Sequence, residues 1–162
     1  MQRILRRYRK LAGVIKKGIT KEMRYKFEIY EKAIGKERPR YSAKTHRMYT
    51  PTRTSTFEEK VKSAFLEKYS IQIGLTEKPL VAIIKVYFEA PKSLSKKKRI
   101  SLMYTPYDKK PDCDNLAKTI LDALNGLAYK DDKQITYLSV EKLYGTENKI
   151  EVDLEEICEY QK

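Results

Sequence analysis

The chain has 162 residues, enough for one compact domain that needs neither disulfides nor a structural metal to hold its core. Its two cysteines, Cys113 and Cys158, belong to no CxxC pair, which argues against a disulfide framework or a zinc ribbon and predicts two free thiols in a reducing compartment. The net charge of +13 is unevenly spread: residues 1–110 hold 29 Lys/Arg against 10 Asp/Glu, whereas residues 111–162 hold 6 against 12. A basic body suits a polyanion such as DNA, and an acidic segment within it would repel that polyanion unless a cation intervened.

Residues 1–20 carry seven basic side chains and no acidic one, with Ile4, Leu5, Tyr8, Leu11, Val14 and Ile15 at near-helical spacing. They predict a basic amphipathic extension, a helix or an arm, ahead of a domain over residues 21–162. Lys16 and Lys17 interrupt the apolar stretch that a secretory leader needs, and no apolar run approaches the roughly 18 to 20 residues of a membrane span. A cytoplasmic, DNA-associated protein with no membrane partner is expected.

A short strand is predicted around Lys26 to Tyr30, then a polar loop over residues 31–54 holding Arg38-Pro39-Arg40, His46, Arg47 and Arg53. Ser55-Thr56-Phe57-Glu58 fits a capping box opening a helix whose Phe57, Val61, Ala64, Phe65 and Tyr69 keep the helical period. Pro79 to Ala90 reads as a strand with Ala82, Ile84, Val86 and Phe88 on one face and Lys85, Tyr87 and Glu89 on the other. Lys96-Lys97-Lys98-Arg99 falls in a loop or short helix. Asp114 to Asn125 predicts a helix stopped by Asn125-Gly126, and Ile135 to Tyr144 and Lys149 to Glu155 predict two strands joined across residues 145–148. Without a regular βαβ repeat, the class is α+β.

Chemistry concentrates in Pro111-Asp112-Cys113-Asp114-Asn115-Leu116-Ala117-Lys118. Leu116, Ile120, Ala123, Leu124 and Leu127 form the apolar stripe of this helix, while Asp114, Lys118 and Asp122 stand four residues apart on another face. Two structural readings compete with a functional one: Asp112 or Asp114 as a helix N-cap, and the Asp114–Lys118–Asp122 series as a solvated salt-bridge ladder. Asp131-Asp132 follows where the chain can fold back, although a turn is also a common place for such a pair. Together these acids offer hard oxygen ligands suited to Mg²⁺ or Mn²⁺, which would let an acidic cleft accept a phosphodiester, with Lys118 neutralising charge developing on it. A lone histidine, the absence of a Walker A sequence or a GxSxG, and the position of Cys113 between two carboxylates leave other chemistries poorly supplied.

The Asp112-to-Lys118 block, then Asp122-Ala123-Leu124-Asn125-Gly126, Tyr129-Lys130-Asp131-Asp132-Lys133-Gln134-Ile135 and Glu141-Lys142, resemble the RusA family of Holliday junction resolvases. Lys36 to Arg40, Met48 to Pro51 and Pro91 to Arg99 extend the likeness upstream, so that it runs from about Tyr25 to about Ile157. The resemblance implies a small mixed sheet packed with two main helices, and a homodimer that binds four-way DNA junctions. It implies nicking of two opposed strands with Mg²⁺ or Mn²⁺ and no small-molecule cofactor, in a bacterial or phage setting of recombination and repair. Asp112, Asp114 and Asp132 match the essential metal-binding carboxylates, Lys118 the catalytic lysine, and Asp131 and Asn115 neighbours that support them. Arg38, Arg40, Lys96, Lys97, Lys98, Arg99 and Lys142 would meet DNA phosphates. Other readings kept open at this point are a non-catalytic basic nucleic-acid binder and a metal-dependent nuclease of other branched DNA or of RNA.

Overall fold

The computed structural model describes residues 23–69 and 75–157; the basic extension expected over residues 1–20 and Cys158 lie outside the described residues. Alternation builds the sheet. In β4 (Leu80–Glu89) every second side chain is buried, and β1 (Arg24–Ile29) and β6 (Lys149–Glu156) repeat the pattern. Such strands can bury one face and leave the other to water.

The strands order as β1-β6-β4-β5, with β5 spanning Ile135–Gly145. β6 is antiparallel to both of its neighbours, and β4 pairs with β5 in parallel. The sheet is therefore mixed and the class is α+β, as expected. The strands predicted on either side of residues 145–148 do not pair with each other, because β4 lies between them. To pass over the end of β4 the chain uses Gly145, where a Cβ would stand 2.8 Å from that of Tyr87.

Two helices cover the buried face. Helix α1 (Thr52–Lys68) sets Phe57, Val61 and Phe65 against β1, where Phe65 meets Tyr25 and Phe27 edge-on. It opens four residues nearer the N-terminus than its expected start on the Phe57 side of Ser55, so the capping box is corrected. Pro51 takes the N-cap position without a side-chain cap, its carbonyl receives the N–H groups of Thr54 and Ser55, and the Ser55 hydroxyl donates to the Thr52 carbonyl. Proline's fixed φ and missing N–H suit the start of a helix, which outweighs the local capping signal. The polar loop expected over residues 31–54 also contains a small ribbon, β2 (Arg40–Ser42) against β3 (Arg47–Tyr49).

The second covering helix, α3 (Cys113–Leu124), buries Leu116, Ile120, Ala123 and Leu124 along the expected stripe. It lies in the crossover between the parallel strands β4 and β5, after the short α2 (Lys96–Leu102). Ile84 and Ile120 are completely buried in the common core. We expect Ile84→Ala to cost about 2–5 kcal/mol, measured as a lowered midpoint in urea unfolding with an unchanged slope. Among the described residues no helix is long and apolar enough to cross a membrane.

Candidate active site

The start of α3 is fixed by its neighbours rather than by capping. Asp112 occupies the N-cap position with extended backbone, but its side chain makes no capping hydrogen bond. The competing salt-bridge ladder of Asp114, Lys118 and Asp122 does not form among the described residues either. Asp122 pairs with Lys36 at 2.9 Å, and the same ammonium meets Glu58 of α1. Asp112, Asp114 and Lys118 are exposed, and no side-chain hydrogen bond or ion pair engages them among the described residues. The two structural roles available to these groups are thus unfilled. Two carboxylates and an ammonium are left facing solvent at a helix N-terminus, where the macrodipole favours anions.

The approach to that site is held from two sides. Gly35 packs so closely that a Cβ there would stand 2.9 Å from Pro111 Cβ and 3.2 Å from Asn115 Cβ, and the Lys36 N–H donates to the Asn115 carbonyl at 3.0 Å. On the other side, the Lys142 ammonium donates to the carbonyls of Lys109 at 2.7 Å and Pro111 at 2.9 Å while lying 5.8 Å from the centre of the Tyr107 ring. Tyr107 in turn stacks on Phe88 with ring centres 4.1 Å apart and donates its N–H to the Lys142 carbonyl. Lys142, expected at DNA phosphates, therefore spends its ammonium on the backbone that leads into Asp112.

We expect Gly35→Ala to force either the residue 35 loop or the Pro111–Asn115 turn outward, because a proline ring cannot yield. The cost should be about 1–3 kcal/mol, as for other overpacked sites, read from thermal unfolding, with a matching loss of nuclease activity at a temperature where the variant remains folded.

The Asp131-Asp132 pair is divided by the structure. Asp131 caps the 3₁₀ turn Asp132–Gln134, accepting the Lys133 N–H at 3.0 Å while the Gln134 side chain accepts the Asp131 N–H. The Lys133 N–H, followed by the Lys133 ammonium, holds the Asp131 carboxyl below its ordinary pKa. Asp132 remains exposed. The turn lies at the far end of α3. Gln134 donates to the carbonyls of Thr76 and Lys78, just ahead of β4, and the buried Tyr129 hydroxyl donates to Leu121 at 2.7 Å. Burial raises the Tyr129 pKa.

α3 itself is 12 residues long, roughly 18 Å at 1.5 Å per residue, and the turn follows its C-terminal end in the chain. No three His, Cys, Asp or Glu side chains gather into a metal-binding group among the described residues. The expected set of Asp112, Asp114 and Asp132 is not gathered as such a group among the described residues.

Of the other expected DNA contacts, Arg38, Arg40, Lys96, Lys97 and Lys98 are exposed, whereas Arg99 is half-buried and 3.7 Å from Glu89. Asn115 is half-buried, its carbonyl taking the Lys36 N–H and the Thr119 hydroxyl. Cys113 is a free, exposed thiol. Sequence reasoning missed Gly35, Lys36 and Glu58 as supports of the site. The Lys36–Glu58 and Lys36–Asp122 pairs join residues too far apart in the chain for spacing to suggest them.

The profile of the family described as Endodeoxyribonuclease RusA matches residues 31–155, which takes in the site and every element from β2 to β5. The chain belongs to the RusA endodeoxyribonuclease family. RusA proteins resolve Holliday junctions, which places this chain among the nuclease hydrolases that act on junction DNA. The chain is also 32% identical over 143 residues to the uncharacterized protein YqaN of Bacillus subtilis (strain 168), covering 82% of this chain and 96% of that protein. The acid-rich start of α3, with Asp112, Asp114 and Lys118 exposed, lies within the RusA match.

Proposed function

We propose that this RusA-family chain is a Mg²⁺- or Mn²⁺-dependent endonuclease that resolves four-way DNA junctions by paired nicks on opposed strands, acting as a homodimer in recombination and repair. The observation that carries the proposal is the uncommitted set Asp112, Asp114 and Lys118 at the exposed start of α3 in a strongly basic protein. These donors fit the metal in kind, since carboxylate oxygens suit Mg²⁺ and neither imidazole nor a thiolate pair competes. Asp112 and Asp114 would hold the ion with Asp132. When bound, the ion supplies a more acidic water and stabilises charge on the scissile phosphate. Lys118, one turn inside the helix, would neutralise the oxyanion that develops there. Asp131 supports Asp132 through the 3₁₀ turn, and Asn115 holds the loop that carries Lys36.

No group of three possible metal ligands gathers within one chain among the described residues, and in this reading a second copy completes the donor set. A two-fold arrangement makes the contribution mutual: each copy gives Asp132 to the other and takes one in return. It also creates two sites at once, which paired nicking requires.

Complementation tests this directly. Asp114→Asn and Asp132→Asn proteins should each cut a four-way junction with Mg²⁺ far more slowly than the parent. Mixed and allowed to exchange, they should recover cleavage of single strands, since one intact site forms in each mixed dimer. No recovery despite demonstrated exchange would place both acids in one chain's site. Wild-type protein that binds junctions but cuts none with either Mg²⁺ or Mn²⁺ would leave a non-catalytic binder.

A further inference from the structure

The β2–β3 ribbon has no core of its own. A two-stranded ribbon in water is marginal, and it normally hides its large side chains against another layer. Here Tyr41 is 60% exposed, Met48 62% and Tyr49 47%. Pairing sorts the side chains by face. Tyr41 lies opposite Met48 on one side, while Arg40 opposite Tyr49 and Ser42 opposite Arg47 share the other. One face is apolar and the other is cationic.

Residues 38–57 contain Arg38, Arg40, Lys44, Arg47 and Arg53 and no acidic residue. The base of the ribbon is fixed, since the buried Thr54 hydroxyl donates to Glu37 at 3.2 Å across it. Gly35 and Lys36, immediately before it, pack on Pro111 and Asn115 at the start of α3. A projection rooted next to the start of α3 thus carries positive charge along one side and an aromatic ring with a thioether along the other. His46 closes the turn with φ 52°, and its ring nitrogen is 3.0 Å from the Tyr41 hydroxyl, which steadies that ring.

We propose that the β2–β3 ribbon is a wedge that reads the branch point itself, an inference that rests on the junction-nuclease reading above. Arg40 and Arg47 dock on backbone phosphates, and Tyr41 with Met48 covers the base pair exposed where two arms part. Intact duplex offers no free base face in its interior, so the apolar side of the ribbon finds a partner only at a branch or an end. Charge complementarity selects nucleic acid as the occupant: a protein partner would have to meet five basic side chains with no acid among them. Stacking on an aromatic side chain is sequence-tolerant because every base has a π-face.

The test uses the full chain and a four-way junction with 2-aminopurine either beside the branch or mid-arm, in Ca²⁺ to separate binding from cleavage. Wild-type protein should change fluorescence at the branch position and not in the arm. The Tyr41→Ala/Met48→Ala double variant should lose that response and about tenfold of its junction affinity, the scale of one stacked base, with duplex affinity unchanged. Tyr41→Phe should behave as wild type, because stacking needs the ring; a loss equal to that of alanine would assign Tyr41 a structural part through His46 and overturn the wedge. Arg40→Gln/Arg47→Gln should flatten the slope of log affinity against log salt by about 2. A double variant with wild-type affinity and branch fluorescence, in a series whose parent cuts junctions, overturns the wedge alone. A parent that binds no branched DNA overturns the wedge together with the function from which it follows.

Discussion

Asp114→Asn is expected to bind a four-way junction as tightly as the parent and to cut it on the order of 10²–10³-fold more slowly, the loss typical of removing one preorganised electrostatic contact to a transition state. The side chain is exposed and makes no hydrogen bond among the described residues, so its loss leaves no buried partner there unsatisfied. Stability should therefore change little. Binding should persist because removing a negative charge from a surface facing phosphate reduces repulsion. The check is a pair of measurements on one preparation: junction affinity in Ca²⁺ and single-turnover cleavage in Mg²⁺. Cleavage at the parent's rate would remove Asp114 from the metal site.

Lys142→Met is expected to lower cleavage by about 10²-fold, the scale of a displacement near 1 Å at a catalytic group, while leaving the salt dependence of binding unchanged. Methionine keeps most of the apolar stem over Tyr107 but cannot donate to the carbonyls of Lys109 and Pro111. Those two acceptors are then left to water, and the turn that aims Asp112 loses one of its two supports. A lysine that bound phosphate would instead reduce the slope of log affinity against log salt by about 1 on removal. The two roles therefore separate cleanly: lost rate with an intact slope marks a positioning residue, and a reduced slope with the parent's rate marks a DNA contact.

What the sequence made legible was whatever repeats locally. The period-2 run of β4 and the apolar stripe of α3 located the sheet and its covering helix, because each pattern follows from which side chains can leave water together. The acids were visible for the opposite reason, standing where a basic protein has least use for them. Ser55 misled because a capping signal spans only four residues, and a proline just ahead of it set the backbone first. The β2–β3 ribbon escaped notice since its apolar residues serve no core and so show no burial pattern. Lys36, joining Glu58 and Asp122, and Lys142, holding the turn before Asp112, act across long separations that spacing does not encode. The place of Asp132 was hardest to read. Adjacency to a helix end does not say which end of that helix matters, and 12 residues of α3 separate the two possibilities.

The strand that comes last in the described chain lies inside the sheet. β6 separates β1 from β4 and hydrogen-bonds to both. During synthesis from the N-terminus, β4 can find its parallel neighbour β5 while β1 still waits, and the two halves of the core meet only when residues 149–156 have left the ribosome. A chain released before Lys149 has two unsatisfied strand edges and no continuous layer for α1 and α3 to share. Premature products should therefore lack a closed sheet and be open to proteolysis, with the site at the start of α3 left without its continuous support.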